Sequence, residues 1–170
     1  STAANWSDVR AEWPNEPILR FIPGTDSGTF DYFVEHFFDQ DEAPILNAAN
    51  LQQSEDDNVL VQGVESSPYA IGFFGYAYYQ EAGDQLRAVA IDGVSPSAET
   101  VETGDYSLAR PLFIYSDAGV MTSKPQVADF INYYLTNVDD VIDSVGYFKA
   151  SDAALNLSKL NVLAATAAGM

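Results

Sequence analysis

Phe30, Phe33, Val34, Phe37 and Phe38 fall at i, i+3, i+4, i+7 and i+8, while Asp31, Tyr32, Glu35 and His36 take the other face. That spacing predicts an amphipathic helix with an aromatic buried stripe. The apolar run from Pro17 to Ile22 before it has the length and composition of a strand. Further upstream, Asn5 or Ser7 is placed to cap a short helix that stops before Pro14. After the phenylalanine-rich helix comes a polar connection, and then Ser54 with Asp57 three residues on has the form of a capping box made with Asp. Leu60, Val61 and Val64 supply that helix's apolar stripe. Tyr69 to Phe74 reads as a strand interrupted by Gly72, Gly75 to Glu81 as a short helix, and Leu86 to Ile91 as another strand. Strands alternating with helices predict an α/β protein.

The pattern lapses between Asp92 and Asp105, where DGVSPSAETVETGD is small, acidic and without period, as expected of an exposed connection. Beyond it, Pro111 to Tyr115 predicts a strand, and Ser123-Lys124-Pro125 an N-cap with proline in the first helical turn. Val127, Phe130, Ile131, Tyr134 and Leu135 form the apolar face of that helix. Val138, Val141, Ile142 and Val145 predict a second helix ending near Gly146, and Ser151 opens a terminal one. There is no internal repeat and no low-complexity segment.

Composition narrows the chemistry. With 170 residues, 47% hydrophobic and 13% aromatic, the chain can fill one ordinary domain or two small lobes. It has no cysteine, which excludes disulfides and thiolate metal sites, and its one histidine excludes a histidine-rich centre. The net charge of −18, from 25 acidic and 7 basic residues spread along the chain, argues against nucleic acid or an anionic membrane as partner. Asp39-Gln40-Asp41-Glu42 lacks the ligand spacing of an EF-hand loop and reads as a solvated acidic loop, so no metal site and no cofactor is expected. The alanine-rich end from Leu155 to Met170 is broken by Asn156, Ser158, Lys159, Asn161 and Thr166, and no membrane span is expected there. Asp56-Asp57 and Asp139-Asp140 are sequence neighbours whose carboxylates diverge on a helix, and His36 has no serine placed to use it. No catalytic residue is expected.

The chemistry that the pattern does support lies in Pro23-Gly24-Thr25-Asp26-Ser27-Gly28-Thr29, between the predicted strand and the aromatic helix. Glycines let a ligand approach the backbone, Ser27 and Thr29 add hydroxyls, and the helix turns its free N–H groups and positive dipole end toward the same point. Asp26, Ser27, Gly28 and Thr29 are therefore candidate ligands for phosphate or a similar oxyanion. The plainer reading, that Asp26 or Ser27 merely caps the helix, stays open. The aromatic run Phe73-Phe74-Gly75-Tyr76-Ala77-Tyr78-Tyr79 likewise reads as a sugar-stacking platform or as core.

The run PGTDSGTFDYF from Pro23, SEDDNVLVQGV from Ser54, AIGFFGYAYYQE from Ala70, LRAVAIDG from Leu86 and YSLARPLFIY ending at Tyr115 together resemble the phosphate-binding proteins of bacterial high-affinity phosphate ABC transporters, of the PstS type and its SphX-like branch. The resemblance implies a two-lobed, type II periplasmic-binding-protein-like fold, whose chain starts lobe one, crosses to build lobe two and returns. Residues 1–90 would be lobe two with the oxyanion-binding loop, 91–106 the connection, and 107–170 the returning C-terminal part of lobe one. It also favours core packing for the aromatic run.

By the same resemblance the chain would bind inorganic phosphate for an ABC transporter permease, in the periplasm or outside the cell, with membrane anchoring through a preceding N-terminal part. Because Trp6 and Trp13 already lead into the second lobe, an N-terminal partner segment or chain would be needed to complete lobe one. In the family that segment carries the aspartate that accepts a proton from phosphate, so at most half a site is expected here. Some members place an arginine beside the phosphate; Pro23 stands at that place, and Arg20 and Arg110 are not taken as ligands. Asp26 would order the turn or accept a proton from the ligand. The alternative is a structural or interaction protein of a surface or extracellular assembly that reuses the fold with a vestigial cradle.

Overall fold

The computed structural model describes residues 2–168; Ser1 and Met170, the outer bounds of the two expected segments, lie outside the described residues. The chain forms two compact units, Ser1–Val89 and Ala90–Met170.

The first unit is built on β1 (Leu19–Pro23), the middle strand of a three-stranded parallel sheet of order β2-β1-β3, with β2 at Leu51–Ser54 and β3 at Ala70–Gly72. Arg20 pairs with Leu51 and Pro23 with Ser54 on one side, and Leu19 with Ala70 and Phe21 with Gly72 on the other. Helices α2 (Gly28–Phe38) and α3 (Ala43–Leu46) join β1 to β2, and α4 (Asp57–Glu65) joins β2 to β3. A middle parallel strand is covered on both faces, and β1 is buried from Arg20 to Pro23 accordingly.

Alternation along β1 sorts the two faces. Ile22 packs with Phe30 and Val34 of α2 and Ile45 of α3, with Phe33, Phe38, Leu46, Leu51 and Phe73 around them. Phe21 points the other way, against α4, where a Cβ on Gly63 would collide with its ring. The two helices thus cover opposite faces, as right-handed crossovers leaving to opposite sides of β1 require. Fully burying a side chain such as Phe30 or Leu60 contributes about 1.5–3 kcal/mol each.

The amino-terminal segment is fastened to the start of this sheet. Short helix α1 (Trp6–Val9) begins after Asn5, and the Asp8 carboxylate accepts the Ala4 and Asn5 N–H groups at 2.9 and 2.8 Å. Trp6 Nε1 donates to the Tyr69 carbonyl at 2.9 Å and its ring meets Trp13 edge-on, with the Arg10 guanidinium over Trp13. Arg20 is buried and donates to the carbonyls of Ala3, Ile18 and Ala49 at 2.7, 3.2 and 2.8 Å. Three carbonyl oxygens thus stand in for a carboxylate, while burial draws its pKa below the ordinary arginine value.

Several boundaries differ from those the sequence predicts. Pro17 lies before β1 in an isolated antiparallel bridge with Asn5. The polar connection contains α3 and β2; Gln52 and Gln53 of that edge strand are exposed, which hid it from an apolar-run criterion. Ser54 ends β2 and does not cap α4: Asp56 is the cap, accepting from the Asn58 N–H at 3.0 Å, while the Ser54 hydroxyl accepts from Asp56 N–H. After α5 (Tyr76–Ala82) the chain makes a 3₁₀ turn at Gly83–Gln85, and Leu86–Ile91 forms no strand, since its only pairing is the isolated Ile91–Val94 bridge.

The second unit is helical among the described residues. Within the segment expected to be irregular, α6 (Ala98–Glu102) is held by reciprocal bonds, Thr100 N–H to Ser97 Oγ at 3.1 Å and Ser97 N–H to Thr100 Oγ1 at 3.0 Å. Pro111–Tyr115 is not a strand; Leu112, Phe113, Ile114 and Tyr115 are exposed. Helix α7 (Ala118–Ser123) is capped by Asp117, and Ser123 is its last residue, donating to the Gly119 carbonyl at 2.7 Å, so it does not cap the next helix. That helix, α8 (Pro125–Val141), runs on through the first part of the predicted second helix, whose remainder is a 3₁₀ turn at Ile142–Val145 closed by left-handed Gly146. Helix α9 (Asp152–Ala168) opens at Ser151, whose hydroxyl accepts from Ala154 N–H at 3.3 Å. Met121, Ile131 and Leu155 are buried where α7, α8 and α9 meet. No helix among the described residues is long and apolar enough to cross a membrane.

Candidate oxyanion site

The loops that follow β1 and β2 leave neighbouring parallel strands at their carboxyl ends, and they stay together because Gly24 N–H donates to the Ser54 carbonyl at 3.0 Å. In open α/β sheets this end is where ligands bind. Helices α2 and α4 both begin here, so two positive dipole ends meet at one sheet edge.

Ser27 organises the α2 side. Its N–H donates to the Gly24 carbonyl at 3.1 Å, its hydroxyl accepts from Thr29 N–H at 3.2 Å, and its carbonyl accepts from Asp31 N–H at 3.1 Å. The helix cap is therefore Ser27, which corrects the option that Asp26 caps it. Capping leaves Ser27 with capacity to spare, because a hydroxyl that accepts one bond still donates its own proton. Gly28 and Thr29 occupy the first turn, where backbone N–H groups have no carbonyl one turn back. Gly28 and Asp26 are exposed; Ser27 and Thr29 are half-buried.

The sequence did not single out Glu55. Its carboxylate lies over Gly24, where a Cβ would collide with it, and Oε1 accepts the Asp26 N–H at 3.4 Å. Glu55 also lines an open depression of about 250 Å³ with Gly24, Thr25, Gln53 and Ser54. Recognising it requires the register that sets Pro23 beside Ser54, and β2 does not show in the apolar pattern. Asp26, Glu55, Asp56 and Asp57 give this edge four carboxyl groups. Partial burial, then Asp56, then Glu55 push the Asp57 carboxyl above the usual aspartate range.

Arg20 reaches carbonyls at the opposite end of the sheet, and Arg110 belongs to the second unit. Pro23 is fully buried. Phe73 stacks on Phe33 with ring centroids 3.9 Å apart, so this part of the aromatic run is core. His36 sits exposed on α2 against Tyr32 and Phe37. Among the described residues no group of histidine and carboxylate side chains is arranged to hold a metal ion.

Residues 1–138 match the family model of a PBP superfamily domain. Protein SphX of Synechocystis sp. is 42% identical over 94% of this chain and 48% of its own length. A phosphate-binding protein PstS of Staphylococcus haemolyticus is 31% identical over 85% of this chain and 46% of its own. The chain spans about half the length of the curated relatives it matches. Among solved structures, a possible phosphate binding protein from Planctomyces limnophilus superposes with a TM-score of 0.70 at 36% identity, covering 98% of this chain and 60% of that one.

Proposed function

We propose that this chain, which belongs to the PBP superfamily, binds inorganic phosphate as part of the substrate-binding component of a high-affinity phosphate ABC transporter. One observation carries the reading: the strand–turn–helix from Pro23 to Thr29 opens at the carboxyl end of a parallel sheet, beside a second helix N-terminus. The backbone N–H of Gly28 and the hydroxyls of Ser27 and Thr29 are the donors for phosphate oxygens, with Asp26 ordering the turn or accepting a proton from the ligand. Residues 1–90 act as lobe two, 91–106 as the connection and 107–170 as the returning part of lobe one. An N-terminal partner segment or chain completes lobe one and the opposite wall of the cleft. Closure of two lobes then signals the permease from the periplasmic or extracellular side. The site binds and does not catalyse.

Isothermal titration with phosphate and with sulfate, on the chain alone and together with such an N-terminal segment, tests this. Phosphate-dependent heat in the two-lobe assembly is expected, and its absence there refutes the assignment.

A second reading rests on the apolar surface of the second unit, where Leu112, Phe113, Ile114 and Tyr115 are exposed, as are Leu157, Leu160 and Leu163 of α9. Surface of this kind favours a structural or interaction protein that requires a partner chain. Light scattering separates the two, since a stable monomer of 18.5 kDa in the chain alone counts against an obligate assembly.

A further inference from the structure

Glu55 is unused by the phosphate reading, yet its carboxylate lies against the turn that leads into the proposed donors. Its carboxylate covers Gly24, takes the Asp26 N–H at 3.4 Å and walls the depression formed with Thr25, Gln53 and Ser54. To a backbone N–H, a carboxylate oxygen and a phosphate oxygen offer the same kind of charged acceptor. The side chain is long and exposed, and its bond to Asp26 is at the long end of the hydrogen-bond range, so it is held there loosely. Asp26, Asp56 and Asp57 add negative charge beside it, and Arg20 is engaged at the other end of the sheet.

We propose that Glu55 is an internal competitor for the oxyanion cradle, its carboxylate holding the Asp26 N–H of the turn in the free protein until an entering tetrahedral oxyanion displaces it. The inference rests on the phosphate reading. A carboxylate and a tetrahedral oxyanion do not share one N–H donor, because their like charges repel at contact distance. Displacement is a toll common to every tetrahedral oxyanion, so Glu55 lowers affinity without choosing between phosphate and sulfate. Glu55 is exposed, so its side chain has solvent to swing into.

The test compares the full chain with its Glu55→Gln and Glu55→Ala variants, each together with the N-terminal segment that completes lobe one, titrated with inorganic phosphate and with sulfate. Both variants should bind each anion about tenfold more tightly, with the phosphate-to-sulfate ratio unchanged. In parallel, the Asp26 amide resonance, 29 residues away in sequence (55 − 26), should move on Glu55→Gln without any anion present. An unmoved Asp26 amide, or equal affinities in all three proteins, overturns the competition while leaving the cradle standing. A Glu55→Gln variant that loses phosphate but keeps sulfate overturns it too, because the carboxylate would then be a proton acceptor for the ligand. Absence of phosphate binding in all three proteins refutes the phosphate reading, and the competition with it.

Discussion

Two apolar runs of similar composition meet opposite fates. Leu19-Arg20-Phe21-Ile22-Pro23 is the buried middle strand of the first unit, whereas Pro111-Leu112-Phe113-Ile114-Tyr115 in the second forms no strand and is exposed. Propensity does not separate them, since leucine, phenylalanine and isoleucine serve both. What differs is company: Arg20 has Leu51 on one side and Ile71 on the other, with α2 and α4 closing the faces. Strand propensity expresses fit to a half-buried pleated surface, and it yields a strand only where such a surface exists.

The strongest way to break this contrast is a pair of truncations. Phe30 is fully buried and Phe113 is 67% exposed. Phe30→Ala should cost about 3–5 kcal/mol in urea unfolding, and Phe113→Ala well under about 0.5 kcal/mol. Equal losses would mean that the second run is as enclosed as the first. An N-terminal segment that supplies a sheet for residues 111–115 should raise the Phe113→Ala cost, so repeating the measurement with that segment sharpens the comparison.

At the carboxyl end of the built strand, Thr29→Ala should weaken phosphate binding by about 1.5–3 kcal/mol, the worth of a hydroxyl bonded to a charged ligand. Calorimetric titration reads it directly, and unchanged affinity removes Thr29 from the site. Ser27→Ala should act twice. It removes the cap that accepts from Thr29 N–H, at about 1 kcal/mol of stability, and it removes a donor to the ligand. A loss of stability with no loss of affinity would leave Ser27 a cap alone.

These substitutions target the part of the molecule that the sequence made plain. The candidate cradle is contiguous, and strand, turn and helix follow one another within a dozen or so residues, so periodicity and turn chemistry sufficed to read that strand–turn–helix. The long helices were readable for the same reason: the apolar spacing of α2, α4 and α8 is local information. β2 was not, because Gln52 and Gln53 of an edge strand face water and its identity depends on β1, some thirty residues earlier. Glu55 inherited that invisibility, since only the Pro23–Ser54 register brings it over Gly24. The reverse error, strands read at Leu86–Ile91 and Pro111–Tyr115, comes from the same cause: a local pattern cannot report whether a ladder partner exists.

The smallest expected effect compares two carboxylates within the first unit. Asp8 accepts the N–H groups of Asn5 and Ala4, which holds its pKa below the ordinary value near 3.8, whereas burial, then Asp56, then Glu55 raise that of Asp57 above it. The signs follow from linkage. For Asp8 the folded protein holds its proton less tightly than the unfolded chain, so its contribution is present above the unfolded pKa and lost as pH falls through the folded one. For Asp57 the folded protein holds the proton more tightly, so stability falls as pH rises from the unfolded pKa through the folded one, and the penalty is complete at neutral pH. Asp57 opens α4, where the helix dipole favours a negative charge by a few tenths of a kcal/mol, but the raised pKa means that burial and the neighbouring carboxylates outweigh it. Thermal unfolding at neutral pH should therefore give Asp8→Asn a lower Tm than wild type and Asp57→Asn a slightly higher one. The Asp8→Asn difference should shrink as pH is taken below about 3.8, whereas the Asp57→Asn difference should already shrink as pH falls toward about 3.8 from above. A lowered Tm for Asp57→Asn at neutral pH would mean that the dipole prevails, and that the crowding of carboxylates around Glu55 is weaker than the geometry of this loop implies.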